Sequence, residues 1–449
     1  MYTDMTKGPV VKSMLHFAVP MILGNLLQQC YNIADTLIVG KFLGSNALAA
    51  VGSSFTLMTF LTSILLGLCM GSGTFFSIRY GEHDETGMKE GICASFLLIL
   101  SLTAILNIFA FTFLDKIQVF LKVPDEIWHD MHSYLIIIFI GIPATFLYNY
   151  FASLLRAIGN SIIPLIFLAV STVLNIMLDL WFILGLHWAV WGAAAATVAA
   201  QYISGIGITI YSIKCIPYLK IHKGEYRISW QCMQEIAGFS VMTCIQQSIM
   251  NLGILLVQGV VNSFGPAVMA AFAAAVKIDA FAYMPVQDFG NACSTFIAQN
   301  YRPKKDERIQ TGLKGAVTTA FIFCITVSAV VWIFARQFML LFVNAEETAI
   351  ITEGIRYLRI EGSFYCGIGF LFLLYGLLRA LERPGISVVL TVISLGTRVA
   401  LAYILSAIPT IGVIGIWWSV PIGWILADVI GFIFAAFYLD KKKNTSYNA

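Results

Sequence analysis

The sequence predicts an all-α integral membrane protein with twelve transmembrane helices arranged as two pseudo-twofold-related six-helix bundles. Three observations lead there. Of the 449 residues, 59% are hydrophobic and only 11% charged, with a mean hydropathy of +0.84, whereas a soluble domain carries about 25% charged residues. The apolar residues gather into segments of roughly 20 or more, the length that crosses a hydrocarbon core of about 30 Å. The second half of the chain also repeats the first at a nearly constant offset. A soluble globular enzyme is excluded by the first of these. With 27 Lys+Arg against 24 Asp+Glu, the net +3 gives no reason to expect a nucleic-acid partner. Nine cysteines form no CxxC pair, and Cys30, Cys69, Cys93, Cys244, Cys293, Cys324 and Cys366 sit within apolar stretches, as small buried hydrophobes do.

Charges and Pro/Gly clusters divide the chain into spans at 14–40, 46–78, 92–114, 131–153, 162–184, 188–213, 236–263, 267–300, 311–335, 355–379, 386–407 and 411–438. In lipid an unpaired backbone group is too costly to leave open, and runs this long without period-2 alternation are helices rather than barrel strands. The first span carries His16, Asn25, Gln28, Gln29, Asn32 and Asp35 and has no small-residue cleavage site at the right distance, so it is expected to be a retained helix. Basic residues near span ends set the orientation. Placing the N-terminus inside puts nineteen Lys and Arg on the inner side, from Lys7 and Lys12 through Lys220, Lys223 and Arg227 to Lys441–Lys443, against six outside, among them Lys41, Lys116 and Lys122. Both termini are expected in the cytoplasm, in the inner or plasma membrane of a bacterium.

The repeat is specific. Gly44, Leu48, Ala49–Ala50, Phe75, Tyr80 and Gly91 fall on Gly265, Met269, Ala270–Ala271, Phe296, Tyr301 and Gly312 at an offset of 221, and Arg156–Ala157 and Gly192 fall on Arg379–Ala380 and Gly415 at 223. Each copy has six spans, an even number, so both enter the membrane the same way round. The expected organisation is an N-terminal lobe over 1–213, a cytoplasmic linker over 214–235, a C-terminal lobe over 236–440 and a cytoplasmic tail over 441–449. Two parallel bundles with a cleft between them suit a carrier, because the cleft opens to either side without unfolding either bundle.

Acids inside spans are candidates for function, since burying an ionised carboxylate in hydrocarbon costs several kcal/mol. The deep ones are Asp35, Asp179, Asp279 and Asp288. Asn175 and Asp179 share a helical face one turn apart, Asp35 is the natural second carboxylate, and Thr197 adds a hydroxyl. Such an all-oxygen set suits H+ or Na+ rather than a soft metal, and two neighbouring carboxylates cannot both stay ionised there without a cation. The repeat offers a comparison: the equivalents of Asp35, Asn175, Asp179 and Thr197 are Leu256, Arg398, Ala402 and Val420, so one coupling site per molecule is expected, in the first half. The competing reading, two acids hydrated near helix ends, is decided by burial. Pro20, fifteen positions before Asp35, removes one helix hydrogen bond and is an expected bend point.

On the eighth span Lys277, Phe281, Met284 and Asp288 recur at intervals of four, three and four and line one face, the reading being a water-filled cleft or, for Lys277, snorkelling from a helix end. Asp279 points away from that stripe. With Gln28, Tyr31 and Gln246, the stripe completes the candidate substrate cavity. Asp125, Glu126, His129, Asp130 and His132 include metal-like residue types, but a solvated helix start accounts for them better. No metal site or cofactor is expected beyond H+ or Na+ as a coupling ion.

Several stretches resemble the multidrug and toxic compound extrusion (MATE) family of the MOP superfamily, nearer its bacterial DinF-like and MepA-like members. They are FAVPMILGNLLQQCYNIADTLIVG at 17–40, LLRAIGN at 154–160 with its echo LLRALER at 377–383, LNIMLDLWFI at 174–183 and WGAAAATVAAQ at 191–201. The resemblance covers nearly the whole chain. It implies two six-helix lobes around a V-shaped cleft, and export of amphipathic, often cationic organic compounds and drugs in exchange for H+ or Na+. By the same likeness Asp35, Asn175, Asp179 and Thr197 fall on the cation site of the N-terminal lobe, Pro20 on the bending proline, and Gln28 and Tyr31 on cavity positions. Where some relatives carry a glutamate in helix seven, this chain has Gln246 and Gln247, a departure that speaks against a C-lobe ion site of that type.

The expected function is therefore a cation-coupled antiporter, working as a monomer on small organic cations and drugs. The alternative on the same scaffold is a flippase for lipid-linked precursors, which calls for a basic lateral portal, whereas only Lys277 and Arg398 lie within spans. A membrane-embedded enzyme would need paired His/Asp, GxGD or HExxH sets in its helices, and the sequence has none.

Overall fold

A computed structural model describes residues 4–120, 123–219 and 229–447 of the chain. Lys122, much of the 214–235 linker with Lys220, Lys223 and Arg227, and the end of the tail lie outside the described residues. Every described element is helical: α1 (Val10–Phe42), α2 (Ser45–Glu82), α3 (Glu85–Thr112), the short α4 (Leu114–Phe120), α5 (Asp125–Ala157), α6 (Ile162–Leu180) continuing into a π-helical turn (Trp181–Gly185), and α7 (Val190–Cys215). After a 3₁₀ turn at Pro217–Leu219 come α8 (Trp230–Asn262), α9 (Pro266–Tyr301), α10 (Asp306–Leu340), α11 (Thr348–Gly362), α12 (Tyr365–Ala380), α13 (Pro384–Ser406) and α14 (Val413–Tyr447).

Among the described residues eleven helices are long and apolar enough to cross a membrane, and α11 with α12 make a twelfth span, bent by 51°. Hydropathy alone predicts one straight helix at 355–379. The break has a local cause: the Ser363 hydroxyl donates to the Arg359 carbonyl at 2.6 Å, and Phe364 leaves helical geometry at φ −118°, ψ 18°. A serine hydroxyl bonded back one turn loosens the helix it belongs to.

The duplication is written in the backbone as well as the side chains. Gly44 and Gly265 open α2 and α9 at φ 90° and 93°. His83 and Lys304, related by the same offset, both stand at φ 56°. Gly159 and Glu382, which follow the repeated Arg-Ala pairs, stand at φ 87° and 63°. Neither of these last two pairs shares its residue type, so the turn geometry has outlasted the side chains. Gly91 and Gly312 each lie against a phenylalanine: a Cβ there would come within 2.3 Å of the Phe75 ring and 2.2 Å of the Phe296 ring.

The chain divides into two compact units, one built on Val19–Gln247 and the other on Met5–Ala18 and the residues from Ser248 onward. These bounds differ from the 1–213 and 236–440 lobes read from hydropathy. The N-terminal segment is held in the second unit because Arg308 donates to the carbonyls of Met5, Lys7 and Gly8 at 3.0, 2.6 and 2.8 Å. Lys305 Nζ reaches the Thr6 carbonyl at 3.1 Å. The first half of α8 belongs with the first unit because it lies on α2: Ser240 Oγ is 2.9 Å from Ser72 Oγ, and Arg79 pairs with Glu235 at 2.9 Å. Gly67 and Gly71 allow the close approach, since a Cβ on either would come within 2.5 Å of the α8 backbone.

Each unit has an apolar core. In the first, Val39, Ala47, Val51, Tyr134 and Ile138 pack against Ala193, Ala194 and Val198 of α7. In the second, Phe272 stacks on Trp417 with ring centroids 5.6 Å apart and Tyr357 meets the same indole edge-on at 4.9 Å, contacts worth about 0.5–1.5 kcal/mol each beyond their buried area.

Candidate functional site

In the first unit α1 presents Gln28, Tyr31 and Asp35 at intervals of three and four, hence on one face. Asn175 and Asp179 share a face of α6 one turn apart, and the π turn begins just beyond Asp179, at Trp181. Insertion of such a turn shifts the register of the helix beyond it, a device common at functional sites. Thr197 on α7 ties the set together: its hydroxyl oxygen accepts from Asn175 Nδ2 at 3.2 Å and lies 3.3 Å from the Tyr31 hydroxyl.

The Asp35 and Asp179 carboxyls stand within hydrogen-bonding reach of each other, Asp35 only 9% exposed and Asp179 fully enclosed. Tyr134 on α5 interacts with both acids and with Tyr31. Among the described residues no donor reaches Asp35 Oδ1, Asn175 Oδ1 or either oxygen of Asp179. An unsatisfied buried acceptor costs about 1–3 kcal/mol, and more when it is charged, so a cluster of four such oxygens is expensive unless something positive joins it. A shared proton supplies the missing donor, and the same oxygens form the hard donor set that a sodium ion takes. Beside the pair lies a cavity of about 110 Å³ whose wall includes Gln28, Tyr31, Thr145, Asn149, Asn175, Thr197 and Gln201. Pro20 lies inside α1, which runs on through it.

The other candidate positions are placed differently. Lys277 and Phe281 stand toward the outside of α9, Met284 is half-buried and Asp288 buried. None of the four lines the cavity of the second unit, also of about 110 Å³. Lys277 Nζ sits 5.9 Å from the centre of the Phe342 ring. Gln246 is buried on α8 and belongs to neither cavity. His132 Nε2 lies 3.2 Å from Asp115 Oδ1, with both side chains open to solvent.

Asp279, for which the sequence suggests no partner, has several. The Tyr365 hydroxyl donates to its Oδ1, Tyr357 and Glu361 are within hydrogen-bonding reach, and Arg398 acts on it electrostatically. Asp279, Tyr283, Tyr357, Glu361, Tyr365 and Arg398 all line the second unit's cavity. Enclosed acids thus gather in the second half as well, in a cluster built from other positions of the repeat than the one coupling site expected in the first half. Glu361 is the member that sequence reasoning missed. It lies inside a predicted span, and Tyr357–Leu358 just before it repeats Tyr134–Leu135 at the offset that relates the two Arg-Ala pairs.

A duplicated set of twelve apolar spans, with acids enclosed in the helical bundles, defines a multi-pass membrane carrier. The MatE family model matches residues 20–181 and 241–404, most of the chain, and the protein belongs to the MatE family of transporters. It is 29% identical over 379 residues to the probable multidrug resistance protein YpnP of Bacillus subtilis, covering 84% of each chain. It is 26% identical over 442 residues to the multidrug export protein MepA of Staphylococcus haemolyticus, covering 98% of this chain and 95% of the relative. A solved MOP-superfamily transporter from Pyrococcus furiosus has the same fold, with a TM-score of 0.92 over 98% of both chains at 24% identity. These relatives and neighbours are transporters, not enzymes.

Proposed function

We propose that the protein is a cation-coupled antiporter that exports amphipathic, often cationic organic compounds by alternating access, with Asp35 and Asp179 as the coupling pair. The observation that carries the reading is the meeting of these two buried carboxyls with the unpartnered oxygen of Asn175, beside a cavity lined mostly by polar residues. The pair repels itself when both members are ionised, and a bound cation relieves the repulsion. An inward cation gradient thus biases one conformation, provided the cation binds the two states unequally. Gln28 and Tyr31 stand on the cavity wall two turns and one turn from Asp35 on α1, so a substrate there and a cation on the pair act on the same helix. The multidrug names of the YpnP and MepA relatives support organic substrates.

A flippase on this scaffold is less well supported, because the basic groups it needs inside the spans are engaged elsewhere: Arg398 faces Asp279 and Glu361, and Lys277 stands over Phe342. Location in a bacterial plasma membrane with both termini cytoplasmic, and action as a monomer, belong to the same proposal. Ethidium efflux from proteoliposomes under separately imposed proton and sodium gradients tests it and identifies the ion. Gradient-driven efflux that disappears in Asp35→Asn supports the reading, and undiminished efflux by that variant contradicts it.

A further inference from the structure

Nine cysteines are scattered through the chain, and two of them meet. Cys324 on α10 and Cys366 on α12 have their thiols within hydrogen-bonding reach of each other. Cys324 is 1% exposed and Cys366 half-buried. Gly369, one turn beyond Cys366, makes room for the approach: a Cβ there would come within 2.7 Å of Cys324 Sγ. At the equivalent positions of the first half stand Thr103 and Pro143, so the duplication did not supply this pair. Cys69 and Cys293, by contrast, are enclosed with no thiol acting on them.

The surroundings favour one kind of reaction. Cys366 lies two residues past Phe364, where the span leaves helical geometry, and shares a face of α12 with Phe370, one turn on. The Phe370 ring stacks on Phe321 of α10, with centroids 6.4 Å apart and planes 3° from parallel. It meets Phe432 of α14 edge-on at 6.0 Å. Phe321 and Phe432 are 48% and 44% exposed, so this aromatic group opens on the apolar outer surface of the spans. A flat ring arriving through lipid finds a stacking surface there, beside two thiols. Forming a thiolate in hydrocarbon is costly. An acceptor that takes electrons and protons together avoids that cost, because it leaves no charge behind.

We propose that Cys324 and Cys366 form a redox modification site, which a lipid-soluble quinone closes to a disulfide. Two S–H bonds break and one S–S bond forms. The electron pair and both protons pass to the quinone, which leaves as the hydroquinone, so the thiols are oxidised, the ring is reduced and reactants and products are all neutral. The new bond ties α10 to α12 just past the bend at Ser363 and Phe364. It thereby fixes the start of α12, which carries Tyr365 and Ile368 on the wall of the second cavity. The site is independent of the compound carried and of the ion that drives its export.

The test uses reduced full-length protein in lipid nanodiscs, incubated without oxygen with decylubiquinone, a fully substituted ring to which thiols cannot add. The protein is then denatured, alkylated and weighed by mass spectrometry. Two alkyl groups fewer than before incubation are expected, with a Cys324–Cys366 peptide pair in the digest, and dithiothreitol should restore both. Cys324→Ser and Cys366→Ser should each abolish the quinone-dependent loss, and Cys293→Ser should leave it in place. Undiminished alkylation of the wild type, a disulfide between other cysteines in place of this pair, or loss that survives in either of the first two variants overturns the site. If a serine variant does not fold, the digest of the wild type locates the linkage without it. Ferricyanide, charged and excluded from lipid, should leave the pair reduced over the same time, and equally fast oxidation by it would overturn the assignment to a quinone.

Discussion

Tyr134 on α5 and Tyr357 on α11 stand at equivalent points of the repeat, and each has a buried pair of acids beside it. The acids are not equivalent. Asp35 and Asp179 come from α1 and α6, where the second copy has Leu256 and Ala402, whereas Asp279 and Glu361 come from α9 and α11, where the first copy has Met58 and Ile138. The duplicated scaffold has kept a tyrosine in each bundle and gathered carboxyls around it from different helices.

Thr197 is the smallest member of the first cluster and the one that joins three helices, through Tyr31 and Asn175. Thr197→Val keeps the volume and removes the hydroxyl, at a cost of about 1 kcal/mol for a hydrogen bond of this kind. The coupling cation should bind about fivefold more weakly, with the fold intact. The cation-concentration dependence of efflux reads this, and an unchanged half-saturation would remove Thr197 from the site.

His83 and Lys304 adopt the left-handed conformation that glycine takes without steric cost. His83→Gly and Lys304→Gly should each stabilise the protein, by up to about 1 kcal/mol. Thermal unfolding in detergent checks the sign, which should be the same for both because the two turns are copies of one another.

Gly71 faces the other way energetically. A Cβ there would come 2.4 Å from the Phe239 carbonyl oxygen, and backbone cannot yield as a flexible side chain does. Gly71→Ala should push α2 and α8 apart and destabilise by about 1–3 kcal/mol, lowering the unfolding temperature. The exposed Gly52, with nothing within 4 Å of its added Cβ, serves as the control.

Arg308 fastens the N-terminal segment through three carbonyls. Arg308→Ala should free residues 5–8, so that limited proteolysis shortens the N-terminus in the variant under conditions that leave the wild type whole. Equal resistance would show that Asn300 and Lys305, which also hold this segment, suffice without it.

Much of the fold is legible from residue order alone. Span length and charge placement mark the helices, and the offset of 221 to 223 marks the duplication, because hydrophobic length and chain repetition are one-dimensional properties. The meeting of Asp35 with Asp179 follows from burial cost, since each acid in hydrocarbon needs a partner. Glu361 escapes because α11 also carries Glu353, Arg356 and Arg359 and reads as the charged end of a span. Which of four nearby charges turns inward depends on rotation about the helix axis, and the bend at Ser363 and Phe364 alters that rotation. For the same reason the stripe from Lys277 to Asp288 reads as the cavity face of α9, while the cavity opens on Val276, Asp279 and Tyr283. The packing of α8 on α2 is also invisible in hydropathy, because it depends on Gly67 and Gly71 meeting backbone rather than on any apolar pattern.

Coupling, as proposed, requires Asp35 and Asp179 to act as one unit. Cation binding to the purified protein, measured for wild type, Asp35→Asn, Asp179→Asn and the double variant with Glu361→Gln present throughout, examines that unity most directly. Two residues that share a single ion are non-additive, so either single substitution should abolish as much binding as both together. Binding that falls by half in each single variant, and vanishes only in the double, would mean two independent acids and would contradict the shared site.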